Sequence, residues 1–205
     1  MDERRLKSWP LVVFVTFVTF ALGACGSDRT GGPRGAPEDV VRRSPDLTLA
    51  AGSASVDASA PDARSLGRLV FADPRIDLTL DGPGRARNYP ELAEPLALVD
   101  LVRGAVAIEA YGGVSVRGVS TFRYELIVNV ERALAEVDPS RQAELADFAR
   151  RLKGDGFYAD VWVDGAGRLR RIQVPVDKAL KRPSNRDRSF PDLISVDLFD
   201  YAGED

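Results

Sequence analysis

One thiol, several aspartate pairs and no histidine make up the reactive inventory of this chain. Cys25 is the single cysteine, and it closes the run Leu22-Gly23-Ala24-Cys25. A lone sulfur nucleophile beside small residues, at the end of an apolar stretch, has the setting of a residue that accepts lipid. The acidic pairs Asp160/Asp164 and Asp197/Asp200 have the spacing of a metal or acid–base site, the first pair falling on one side of a strand. The same residues also suit a solvated sheet face or a turn cap, which is the commoner use of such aspartates. With no histidine in the sequence, a histidine triad, a histidine metal site and a histidine general base are all excluded. Nothing in this inventory points to an enzyme, a metal or a bound cofactor.

The segment before Cys25 explains its setting. Arg4, Arg5 and Lys7 precede an apolar run from Trp9 to Ala24. That run is shorter than the roughly 20 apolar residues a membrane-crossing helix needs. A processed export signal over residues 1–24 fits better than a permanent span. The segment resembles a bacterial lipoprotein signal. The resemblance implies a diacylglyceryl group on the Cys25 sulfur, cleavage before it, and a chain anchored at the extracytoplasmic face of the cell membrane. The covalent acyl lipid is the only added group expected.

Removing residues 1–24, with three basic and two acidic side chains, leaves 181 residues and a net charge of −4. This length supports one sizeable domain, and the charge argues against a nucleic-acid partner. No second cysteine remains, so packing must hold the domain without an internal disulfide. Residues 25–43, rich in Gly, Pro and Arg, read as a flexible tether, and residues 44–205 as the domain.

Within the domain, Asp46–Leu49 is expected as a short strand, Gly52–Asp62 as loop or poor strand, and Ser65–Phe71 as a helical turn. Ile76–Asp81 alternates like a strand and is followed by a turn at Gly82-Pro83-Gly84. Leu92–Val102 has a helical stripe restarting at Pro95. Val106–Ala110 predicts a strand ending in a turn at Gly112-Gly113, and Val114–Val130 one long strand. Glu131–Lys153 is helical, restarting at Pro139 after the capping Asp138. Tyr158–Val163 and Leu169–Val174 form a hairpin around Asp164–Gly167. Gly165–Arg170 is read as this turn and not as a nucleotide-binding glycine loop, because no helix follows. Pro175–Ser189 is expected as a loop and Leu193–Tyr201 as the last strand. The basic run from Arg168 to Arg188 reads as a solvated surface or a contact with anionic envelope material. The fold class is α+β: a curved antiparallel sheet packed on amphipathic helices.

Two stretches carry a family resemblance. Val116, Gly118, Thr121 and Tyr124 match Val-x-Gly-x-x-Thr-x-x-Tyr, and Val161, Trp162, Val163, Asp164, Gly167 and Arg170 match Val-Trp-Val-Asp-x-x-Gly-x-x-Arg. In this order, behind such a signal, they resemble the mycobacterial-type cell-envelope lipoproteins of actinobacteria, which share the fold of the periplasmic lipoprotein carrier. The resemblance covers residues 92–201 well and 44–91 poorly. It implies a half-open barrel with an apolar cavity for a lipid or lipidated glycan. The lining candidates are Phe122, Tyr124, Leu126 and Val128 from the sheet and Leu96, Val99, Phe148 and Leu152 from the helices. From the residues alone, a packed core and a cavity both remain open, and the alternative is a tethered structural, sensory or protein-binding domain with an envelope protein as partner.

Overall fold

Strands with apolar residues at every second position can hide one face only if something covers it, and here helices drawn from three parts of the chain do so. A computed structural model describes residues 33–72, 76–81, 89–152, 154–176 and 192–204. The signal, Cys25, the Gly82-Pro83-Gly84 turn and most of the loop expected at Pro175–Ser189 lie outside these residues. In chain order the elements are α1 (Pro37–Ala50), β1 (Ser53–Ala60), β2 (Ala63–Val70), β3 (Ile76–Asp81), α2 (Pro90–Ala93) and α3 (Pro95–Leu101). A 3₁₀ turn at Val102–Gly104 leads into β4 (Ala105–Val116) and β5 (Val119–Asn129). Then come α4 (Val130–Glu136), α5 (Pro139–Leu152), β6 (Gly156–Asp164), β7 (Leu169–Pro175) and β8 (Leu193–Phe199).

The strands form one eight-stranded antiparallel sheet in the order β3-β2-β1-β8-β7-β6-β5-β4, open between its two edges. The curved antiparallel sheet on helices expected from the sequence is therefore the observed architecture. Val56, Leu126, Val161, Ile172, Val196 and Leu198 line up across the inner face and are buried. Against that face, α1 packs on β4, β6 and β7, α2 on β1 to β3, and α3 on β7 and α5. Among the described residues, no helix is long and apolar enough to cross a membrane.

Several expectations for the first half of the domain are corrected. Asp46–Leu49 is not a strand but the end of α1, which starts at Pro37 inside the segment read as tether. Pro37 suits the first helical turn, and Glu38 and Asp39 sit favourably at the positive end of the helix dipole. Pro45 lies inside the helix and brings no N–H to the Val41 carbonyl; the Ser44 hydroxyl donates to that carbonyl instead, at 2.7 Å. Of the loop or poor strand expected at Gly52–Asp62 the strand is the one found, β1, while Ser65–Phe71 lies mostly in strand β2 rather than a helical turn. Ladder bonds to β2 on one side and β8 on the other hold β1 extended, so tertiary pairing overrides its weak Ser/Ala propensity.

The β4–β5 hairpin also differs. Gly112 is the extra residue of a bulge between Tyr111 and Gly113, not a turn. The chain reverses instead at Arg117-Gly118, where φ is 49° and 82°, the two positive values that a tight two-residue hairpin demands. Val114–Val130 is thus two strands and the first residue of α4. The helical restart at Pro139 holds as expected, with the Asp138 carboxylate accepting from the Ser140 amide at 2.8 Å.

Candidate functional site

The eight lining candidates are assembled by β5, α3 and α5. Tyr124, Leu126 and Val128 point inward from β5, Val99 comes from α3, and Phe148 and Leu152 come from α5; all six are buried. Leu96 and Phe122 pack, partly buried, against the same core. These side chains pack into one hydrophobic core together with the β6–β8 aliphatics. Among the described residues, concavities of about 300, 120 and 10 Å³ lie at the margins of this core. The largest runs along β4 to β6, between Ile108, Leu126, Ile127 and the polar Glu109, Glu125 and Tyr158. The smallest, at Leu96 and Leu145, has Asp100 and Arg141 at its wall.

The outer face of the sheet carries a charge ladder that the sequence reading did not find. Arg123 on β5 holds Asp160 on β6 at 3.0 to 3.2 Å and Glu125 at 2.9 Å. Its guanidinium also lies over the rings of Tyr111 and Trp162, at 5.4 and 5.5 Å. Arg171 on β7 covers the other reach of Trp162 at 5.7 Å and grips Asp197 on β8 with bonds of 2.6 and 2.8 Å. Arg117 continues the row, bonding Asp197 at 2.9 Å, pairing with Asp57, and stacking over Phe199 at 4.2 Å. Asp57 is closed by a bidentate pair with Arg64, whose bonds hold its carboxyl below the usual carboxylate range. Burial pushes the Asp160 carboxyl up, against the pull of Arg123. The signal for this ladder was the placing of Arg, Asp and aromatic residues at alternate strand positions, but it needs the cross-strand register before any partner can be named.

The paired aspartates do not converge on a site. Asp160 belongs to the ladder, whereas Asp164 closes the β6–β7 turn by accepting from the Ala166 and Arg168 amides, both at 2.9 Å. It also takes the buried Arg170 at 2.8 Å. Asp197 is bound by Arg171 and Arg117, while Asp200 is exposed with φ 47°. Among the described residues, no group of three or more metal-ligating side chains comes together. The expected solvated role for the basic run is corrected at its start, since Arg168, Arg170 and Arg171 are spent on Asp164, Glu204 and Asp197. Its remainder, from Lys178 to Arg188, lies outside the described residues.

Tyr201 locks the C-terminal end. Its ring lies under Arg170 and Arg168, at 4.7 and 4.9 Å, and its hydroxyl donates to the Leu169 carbonyl, next to the Leu169 amide that donates to Thr48 Oγ1 at 2.9 Å. Burial raises this phenol's pKa well above the ordinary 10.0, and burial followed by the Asp160 charge does the same for Tyr158. Both groups favour the folded state while neutral. Their contribution is complete below the unfolded pKa and is lost as pH rises beyond it. We expect denaturant midpoints to fall as pH rises above about 10, and Tyr201→Phe to flatten that fall while costing roughly 1 kcal/mol at neutral pH. An unchanged alkaline slope in the variant would remove Tyr201 from this account.

The fold and its surroundings define a half-open antiparallel sheet with an aliphatic inner face, a class of architecture rather than a known active site. No protein-family model and no curated protein sequence matches the chain. Solved structures similar to it include the lipoprotein LppX of Mycobacterium tuberculosis, 11% identical with a TM-score of 0.49, over 82% of this chain and 96% of that one. LprF from Mycobacterium bovis is also similar, at 11% identity and a TM-score of 0.44, over 85% of this chain and 97% of that one.

Proposed function

We propose that the protein is a cell-envelope lipoprotein, held at the extracytoplasmic face of the cell membrane by lipid on Cys25, whose domain takes up a lipid or lipidated glycan between sheet and helices. The observation that carries this reading is the chemistry of the interior. The inner sheet face is aliphatic across β1 and β5 to β8, and of the helices closing it α2 and α3 are short, each beginning at a proline. Such a face can recognise acyl chains through burial alone, at about 0.8 kcal/mol per CH₂. Because the candidate residues pack together in the structure, uptake requires the helices to move away from the sheet, with Leu96 and Phe122 at the opening. The lipoprotein signal and the two motif matches support the same reading.

The filled core favours a second reading, a tethered structural, sensory or protein-binding domain without cargo. Native mass spectrometry of the acylated protein extracted from envelopes separates the two. Under the first reading, a lipid adduct is present beyond the covalent anchor, leaves on collisional activation, and is reduced by Leu96→Glu or Phe122→Glu in variants whose circular dichroism is unchanged. A domain that is folded and adduct-free in repeated preparations selects the second.

A further inference from the structure

A second concavity, of about 120 Å³, lies between the start of α1 and the β6–β7 turn. Arg34 and Arg43 line it together with Val40, Leu47 and the Gly165–Gly167 turn. The Arg43 guanidinium lies against Gly35, directly after Arg34, and both arginines line the hollow. Leu47 forms the other side, exposed yet pressed so closely on Gly167 that a Cβ there would meet its Cδ1 at 2.6 Å. Among the described residues, no carboxylate lines the hollow. Arg43 Nε donates to the Asp39 carbonyl at 3.1 Å, but among the described residues neither Arg34 nor Arg43 is in an ion pair. The arginines of the sheet, by contrast, are held by aspartate and glutamate.

We propose that this hollow seats the phosphate of an anionic lipid headgroup and so holds this end of the domain against the membrane. Two guanidinium groups offer forked donors to phosphate oxygens, and the exposed Leu47 suits the boundary between headgroup and acyl chain. Chain length points to the same occupant. Only seven residues separate Pro33 from Cys25, a reach of at most about 28 Å when fully extended. With Cys25 acylated, this end of the domain cannot leave the neighbourhood of the bilayer. The inference therefore rests on the anchor reading, but not on whether the interior carries lipid.

The test uses acylated protein in vesicles of phosphatidylcholine, with and without phosphatidylglycerol, and nitroxide-labelled headgroups as quencher. Acylation blocks Cys25, so a fluorophore reacts only with an introduced thiol, at Glu38→Cys beside the hollow or Thr79→Cys on edge strand β3. The Glu38 position is expected to be quenched more strongly on the anionic vesicles, and the Thr79 position equally on both. Arg34→Gln and Arg43→Gln should each weaken the docked state about fivefold, and the double variant about 25-fold, while the lysine pair, which keeps the charge but not the fork, restores only part of the loss. Quenching at Glu38 that ignores lipid charge or the double substitution overturns the proposal, whereas displacement by inorganic phosphate at matched ionic strength, beyond that caused by chloride, supports it. Failure of the protein to float with either vesicle instead overturns the anchor, and this proposal with it.

Discussion

Phe148→Ala is expected to lower the unfolding free energy by about 3–5 kcal/mol, the range for emptying a large aromatic site in a packed core. Phe148 is fully buried on α5, in the same cluster as Leu145, Leu152 and the aliphatics of the sheet. Globular domains are stable by only about 5–15 kcal/mol, so the variant should be close to unfolding at physiological temperature. Urea unfolding followed by fluorescence and circular dichroism gives the value. The result also bears on how the interior behaves. A loss near 1 kcal/mol would mean that the helices settle onto the sheet to refill the gap, the adaptability that cargo uptake requires. A loss at the upper end means a rigid interior and weighs towards the reading without cargo.

The second large effect concerns attachment. Cys25→Ser should abolish acyl labelling and release or mislocalise the protein, because no other thiol exists to take the diacylglyceryl group. A single acyl chain binds membranes only marginally, and two or more make attachment stable, so losing the whole anchor removes retention rather than weakening it. Metabolic labelling with a fatty acid and fractionation of the envelope check both outcomes. Acyl label that persists at another residue of the serine variant would refute the assignment.

What was legible in the sequence follows contrast between neighbouring residues. From Glu131 to Phe199 the apolar and polar positions differ sharply, and α5, β6, β7 and β8 lie where periodicity puts them. In β1 the buried residues are Ala54, Val56 and Ala58, set between Ser53, Ser55, Asp57 and Ser59, a pattern too shallow to read before its two partner strands are known. Helix α1 was hidden by Pro45, which reads as a breaker until Ser44 is seen to serve the carbonyl that the proline leaves. The inward face of β5 was legible because Tyr124, Leu126 and Val128 announce themselves by alternation. The ladder was missed for the opposite reason: Arg117 meets Asp57 and Asp197 across 60 and 80 residues of chain, distances at which sequence spacing says nothing.

The pairing of β1 with β8 has a consequence for how the molecule comes into being. The meander β1–β2–β3 joins the rest of the sheet through this one seam, whose register runs from Ser55 against Phe199 to Ser59 against Ser195. The partner of the first strand made is thus the last strand made. Closing a loop of that length costs entropy before any contact repays it, so the seam belongs late in assembly. Until the final strand arrives, β1 has one bare edge, open to any other extended chain. A nascent or truncated polypeptide ending before Leu193 would therefore keep two half-sheets with unpaired borders, and its vulnerable period lasts for nearly the whole of its synthesis.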